Sequence, residues 1–183
     1  MSYPSIHLSG TKGDSLVISI KGYSYPEIAE NYDGNYLTMA IKAKNETGEW
    51  EASSPCLLTW EAKWFSKWLR HVVRGNMVDE EISVLDLDFG LKYLDYSNGL
   101  FCFVAILKFG LSNKKDPSED PEINNSSILY LTLGRDDLES FIQFFDTTFK
   151  NYPPRGKQGE ISLEKLPGPQ SFKEYQERKS NFE

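Results

Sequence analysis

Cysteine, histidine and methionine are scarce in this chain, at two, two and three residues in 183. Cys56 and Cys102 lie in apolar segments with no second Cys or His at metal-ligand spacing, so the sequence predicts buried free thiols and no metal site. Neither histidine, His7 nor His71, has a catalytic neighbour, and His71 falls near the end of a predicted helix, where it complements the helix dipole. There is no Gly-x-Ser-x-Gly elbow and no glycine-rich phosphate loop, so acyl transfer has no support and no cofactor is expected. Basic runs never exceed Lys114-Lys115, and 20 Lys and Arg stand against 27 Asp and Glu, for a net charge of -7 and a pI near 5.0. Binding to phosphate backbones needs local positive potential, so nucleic acid is not an expected ligand. A basic protein partner is, because opposite potentials steer encounter and suppress wrong partners. No segment approaches the roughly 20 apolar residues that span a bilayer. The opening MSYPSIHLSGTKGD lacks the basic start and apolar run of a signal peptide, so a cytoplasmic chain without membrane contact is expected.

What is present is ample for a core: 39% of the chain is hydrophobic and 14% aromatic, in a length that buries roughly 70% of its unfolded surface. Residues 1–155 read as a single α+β domain and residues 156–183 as a charged appendage. Leu16, Ile18 and Ile20 alternate with Val17, Ser19 and Lys21, predicting a strand after Gly13-Asp14. A second strand runs from Tyr36 to Ala43 with Leu37, Met39 and Ile41 inward, turns at Asn45-Glu46-Thr47-Gly48, and returns through Trp50 until Pro55 ends it. The Thr59 hydroxyl is then placed to cap a helix from Trp60 to about Arg74, stopped by Gly75. Trp64, Phe65, Trp68, Leu69 and Val72 recur at three- and four-residue intervals along it and form its buried stripe.

Leu85, Leu87, Phe89, Leu91 and Tyr93 alternate with Asp86, Asp88 and Lys92, predicting a strand with one acidic, wet face and Asp79-Glu80-Glu81 in the loop before it. Asn98-Gly99 suits a two-residue hairpin, and the strand it leads into, Leu100 to Leu111, is apolar on both faces and belongs mid-sheet. Ser112 to Ser126 reads as a polar, proline-broken loop, and Ile128 to Leu133 as the last strand. Asp136 with Glu139 has capping-box spacing for a helix that buries Leu138, Phe141, Ile142, Phe145 and Phe149, closed by Pro153-Pro154. The predicted fold is therefore α+β: a curved, mainly antiparallel sheet with two helices packed on it.

Carboxylate clusters, Glu49 with Glu51, Asp86 with Asp88 and Asp79-Glu80-Glu81, could serve a glycosidase, but solvated faces explain them without a hydrolase. The string Tyr32-Asp33-Gly34-Asn35-Tyr36-Leu37, followed by Gly48-Glu49-Trp50-Glu51 and Leu57-Leu58-Thr59-Trp60-Glu61, resembles the WapI family of bacterial immunity proteins, with Tyr36 where a tryptophan is usual. The resemblance spans roughly Gly13 to Arg155. It implies a non-enzymatic protein, a monomer or weak dimer, that neutralises a cognate toxin C-terminal domain, typically a nuclease. An acidic protein can fill the phosphate-holding cleft of a nuclease, which makes Asp33, Glu49, Glu51, Asp86 and Asp88 the expected partner contacts. Asp33, preceding a glycine, also suits a role in bonding its own turn. The alternative is a carbohydrate or small-molecule module, which would need Tyr23, Tyr25, Tyr32 and Tyr36 as an open aromatic platform.

Overall fold

The computed structural model describes residues 3–76, 79–113 and 126–157. Its strands form two four-stranded antiparallel sheets. Sheet A is built from β1 (Ser5–Ser9), β2 (Ser15–Tyr23), β3 (Tyr36–Asn45) and β4 (Gly48–Leu58) in that order. Helix α1 (Thr59–Arg74) follows, and then sheet B with β5 (Glu81–Ser83), β6 (Phe89–Ser97), β7 (Leu100–Lys108) and β8 (Ser126–Leu133), before helix α2 (Arg135–Asn151). The architecture is α+β, antiparallel, with two helices, as the periodicities predict.

The inward faces follow the alternation. Leu16, Ile18 and Ile20 on β2 and Leu37, Met39 and Ile41 on β3 are buried, and so are Phe101, Phe103, Ala105 and Leu107 on β7. The buried apolar residues of both sheets and both helices make one cluster. Phe65 of α1 is its pivot, stacked on Phe145 of α2 with ring centroids 4.9 Å apart and 5.5 Å from Phe89 of β6. Trp68 reaches Phe103 at 6.1 Å. The α1 stripe predicted from spacing is buried from Trp64 to Val72.

Sheet A and sheet B are joined where the β1–β2 turn covers the free edge of β8. Gly10 bridges Leu131, the Tyr130 amide donates to Asp14 Oδ2 at 2.8 Å, and Asn45 Nδ2 donates to the Ile128 carbonyl at 3.1 Å. A Cβ on Gly10 would overlap the Tyr130 carbonyl, so this approach requires glycine. An otherwise open edge is thereby protected.

Several boundaries differ from the sequence reading. The leading segment holds a strand, β1, with His7 on its exposed face. Pro55 does not end the return strand, which runs on to Leu58. β4 is the edge of sheet A and its register shifts at Leu37/Thr38, opposite Pro55, so the missing N–H leaves no ladder position empty. The alternation from Leu85 to Tyr93 is a strand only from Phe89, because Val84 to Leu87 forms a turn closed by the Leu87 amide on the Val84 carbonyl. Glu81, expected in a loop, begins β5, and β7 ends at Lys108 before a helical turn at Phe109–Leu111. Helix α1 begins at Thr59 itself, with Glu61 Oε2 accepting from the Leu58 amide at 2.8 Å. Helix α2 begins at Arg135, with Asp137 Oδ2 accepting from the Gly134 amide, in place of Asp136 and Glu139. Gly75 does stop α1, in a left-handed conformation, and Asn98-Gly99 does turn β6 into β7 with both residues at positive φ. The predicted loop lies outside the described residues over 114–125, and so does the predicted appendage beyond Lys157.

Candidate functional site

Three loops meet at the end of the molecule where α1 begins: the 24–35 segment between β2 and β3, the 84–88 turn between β5 and β6, and the Phe109–Leu111 turn after β7. Each is fixed by a buried polar side chain, Asn35, Glu61 or Asp88. Asn35, fully buried, donates through Nδ2 to the carbonyls of Asn31 at 2.9 Å and Arg155 at 3.0 Å. Its Oδ1 accepts from the Arg155 amide at 2.7 Å and from the Thr59 hydroxyl at 3.3 Å. The guanidinium of Arg155 lies 3.8 Å over the Tyr23 ring and donates to the carbonyls of Tyr25, Pro26 and Gly34. A residue placed by the sequence reading at the limit of the domain is thus a clasp on the motif loop.

Glu61 fastens the second loop. Besides the Leu58 amide it accepts from the Leu85 amide at 2.7 Å, so one buried carboxylate caps α1 and holds the 84–88 turn. Asp88 fastens the third: its Oδ1 accepts from Ser54 Oγ at 3.0 Å and the Gly110 amide at 3.2 Å, while its carbonyl accepts from the Lys108 amide at 2.8 Å. Buried backbone amides that would otherwise be orphaned are satisfied by these carboxylates.

The five predicted contact residues are divided by this arrangement. Asp33, Asp86 and Asp88 come to the loop end. Asp33 is exposed, in the turn before β3, whose side-chain bonds come from Asn35, so the expected self-bonding of Asp33 is supplied by a neighbour. Asp86 is half-buried and hydrogen-bonded to the Tyr36 hydroxyl. Asp88 is buried and bonded within the fold, so it does not share a wet strand face with Asp86; the turn at Val84 to Leu87 breaks the alternation that would put them together. Glu49 and Glu51 lie on the exposed face of sheet A, both paired with Lys42 of β3, at 3.0 and 3.5 Å. The Trp50 indole between them donates to the Leu111 carbonyl at 3.0 Å, so this pair lies on the face of β4 opposite the Phe109–Leu111 turn.

Burial and neighbouring carboxylates shift the titratable groups Tyr36 and Cys56, while the Arg155 guanidinium lies on the Tyr23 side of the same end. Burial raises the Tyr36 pKa far above that of a free phenol, reinforced by the hydrogen bond to Asp86 and the charges of Asp86, Glu61 and Asp33. Burial likewise holds Cys56 well above the usual thiol range, with Asp88, Glu61 and Asp86 adding to it, so this thiol stays protonated and is no nucleophile. Burial also raises Asp88, opposed by its bonds from Ser54 and Gly110.

The four tyrosines do not make one platform. Tyr23 bonds its hydroxyl to the Pro153 carbonyl beneath Arg155, and Tyr36 is occupied by Asp86, which leaves Tyr25 and Tyr32 at the surface. Tyr32 is 41% exposed and sets its ring edge-on to Trp60, centroids 5.6 Å apart. Trp50 and Trp60 are core. Among the described residues no group of three or more His, Cys, Asp or Glu is placed to hold a metal ion. No helix among them is long and apolar enough to cross a membrane.

At the loop end Asp33 and the half-buried Asp86 stand near the exposed side chains of Tyr25, Tyr32, Leu87 and Phe109. The family model of the Immunity protein WapI-like family matches residues 7–153. No curated protein and no solved structure matches the chain.

Proposed function

The chain belongs to the WapI-like immunity protein family, and from that premise we propose that it binds and neutralises a cognate polymorphic toxin domain, a nuclease, in the cytoplasm of the cell that makes both. Blocking is by occupancy and not by catalysis. The observation that carries the reading is the family match over nearly all the described residues, joined to a net charge of -7 and an acidic loop end. A nuclease cleft must attract phosphates, so surface carboxylates compete for it and accelerate encounter. Asp33 and Asp86 at the loop end, and Glu49 and Glu51 on β4, are the carboxylates that can serve; Asp88 acts behind them by holding the loops.

Co-purification with the toxic C-terminal domain encoded immediately upstream tests this, repeated with Asp33→Lys and with Glu49→Lys/Glu51→Lys. A tight complex whose association slows in a reversed variant, and faster growth of toxin-exposed cells carrying the unaltered chain, is the expected result. Absence of any complex, or a complex indifferent to both reversals and to ionic strength, overturns the acidic-inhibitor reading.

A further inference from the structure

Two large apolar side chains stand out from the loop end in a backbone conformation that apolar residues rarely adopt. Leu87 is 46% exposed with φ at 63°, and Phe109 is 52% exposed with φ at 46°. A leucine or phenylalanine in the left-handed region is strained, and neither residue recovers that cost by burial. The first is set by the turn that the Leu87 amide closes on the Val84 carbonyl, the second by Asp88. Leu87 immediately precedes it, and Phe109 sits between Lys108 and Gly110, whose amides both donate to Asp88, one to its carbonyl and one to its carboxylate. A hydrogen-bonded turn and a buried carboxylate therefore fix two exposed apolar residues just before β6 and just after β7, strands paired through Phe89 and Leu107.

We propose that Leu87 and Phe109 are the apolar anchors of the toxin-binding surface, set in an acidic rim formed by Asp86 and Asp33, with Tyr32 beside it. The occupant is the toxin domain, presenting an apolar recess bordered by lysine and arginine. This rests on the immunity reading and deepens it. Charge complementarity selects the partner's sign: Asp33, Asp86 and Glu61 all act on Tyr36, and Asp86 adjoins Leu87 directly. An apolar centre with a charged rim is the anatomy in which a few buried side chains carry most of the affinity. Preorganisation by Asp88 spares the loops an ordering cost when they bind.

The test is titration calorimetry of the full chain against the toxin domain encoded upstream, comparing the unaltered chain with Leu87→Asn/Phe109→Asn. Asparagine tolerates the left-handed backbone, so this variant keeps the loops and removes only the apolar side chains. The expected result is a thermal midpoint equal to or above that of the unaltered chain, with binding weakened about a hundredfold or more. Hydrogen exchange of the unaltered complex provides a readout that needs no variant: protection is expected at 84–88 and 107–111. Binding unchanged in the variant, or no protection of those segments in a complex that does form, overturns the anchor proposal and leaves the immunity reading standing. No binding by the unaltered chain overturns both.

Discussion

Glu61 at the loop end and Glu49 on the outer face of sheet A carry the same side chain into opposite surroundings. Glu61 is fully buried and accepts from two backbone amides that belong to different segments, the start of α1 and the turn before β6. Glu49 is exposed and shares one lysine with Glu51 across a strand pair. In the first case the carboxylate accepts from amides that lie largely inside the fold, and losing it exposes the cost of desolvated donors. In the second, water replaces either partner at once, and screening leaves little to lose. An acidic composition thus hides two populations: carboxylates spent on architecture and carboxylates available to a partner.

The sharpest way to break this contrast is Glu61→Ala. Two buried amides lose their acceptor, and the expected cost is about 3 kcal/mol, a fall of roughly 10 °C in Tm for a domain of this size. Glu61→Gln keeps one good acceptor and recovers part of it. Chemical denaturation of the two variants checks the ordering; equal stability of Glu61→Ala and the unaltered chain would show that the helix start does not depend on this carboxylate.

Next in size comes the clasp. Asn35→Ala removes the side chain that joins the motif loop to Arg155, and Arg155→Ala removes the guanidinium from three carbonyls and from the Tyr23 face. Each is expected to cost about 2 kcal/mol, and the double variant less than the sum, because both act in one network. Strict additivity in a denaturation cycle would show that the two residues act separately.

Sequence reading goes further for the core than for these clasps, and the reason is physical. Leu16, Ile18, Ile20 and the Trp64 to Val72 stripe repeat with the period of their element, so burial writes a pattern into the chain. Asn98-Gly99 and Gly75 announce their backbone dihedrals directly. Leu85 to Tyr93 alternates just as cleanly, yet its first half is a turn, since nothing in alternation reports that Leu87 takes a left-handed φ. Arg155 meets Asn35 at a sequence separation of 120, a pairing with no local signal at all. The candidate contacts were legible as a set of acids but not as two groups, because the division between Asp88 inside and Glu49 outside is made by tertiary hydrogen bonds.

A smaller effect separates the two populations by pH. Burial raises the folded-state pKa of Asp88 above its ordinary 3.8, so on acidification the native state takes up this proton before the unfolded chain does. Stability changes with pH in proportion to protons bound unfolded minus protons bound native, and that difference is negative between the raised value and 3.8. Asp88 therefore weakens the fold at neutral pH relative to its protonated form, and the chain gains on it as pH falls through that window. Asp88→Asn, which cannot titrate, is expected to lack this gain. Subtracting the two stability profiles isolates it, and a difference that is flat across the window would place the folded pKa of Asp88 at its unfolded value.

The smallest stability effect discriminates most between partner surfaces. Lys42→Ala removes a fully solvated cation whose hydrogen bond to Glu49 raises its pKa, and no measurable change in Tm is expected. What does change is potential: Glu49 and Glu51 are left without their shared counter-charge, and the outer face of sheet A becomes more negative. If that face meets the toxin domain, association must accelerate at low ionic strength, since steering follows the local field. If the loop end around Leu87 and Asp86 meets it, Lys42 stands outside the contact on the sheet face opposite the Trp50 indole, and at physiological salt, where the screening length is about 8 Å, the association rate is unchanged. The anchor proposal requires the second outcome, and stopped-flow association at two salt concentrations distinguishes them.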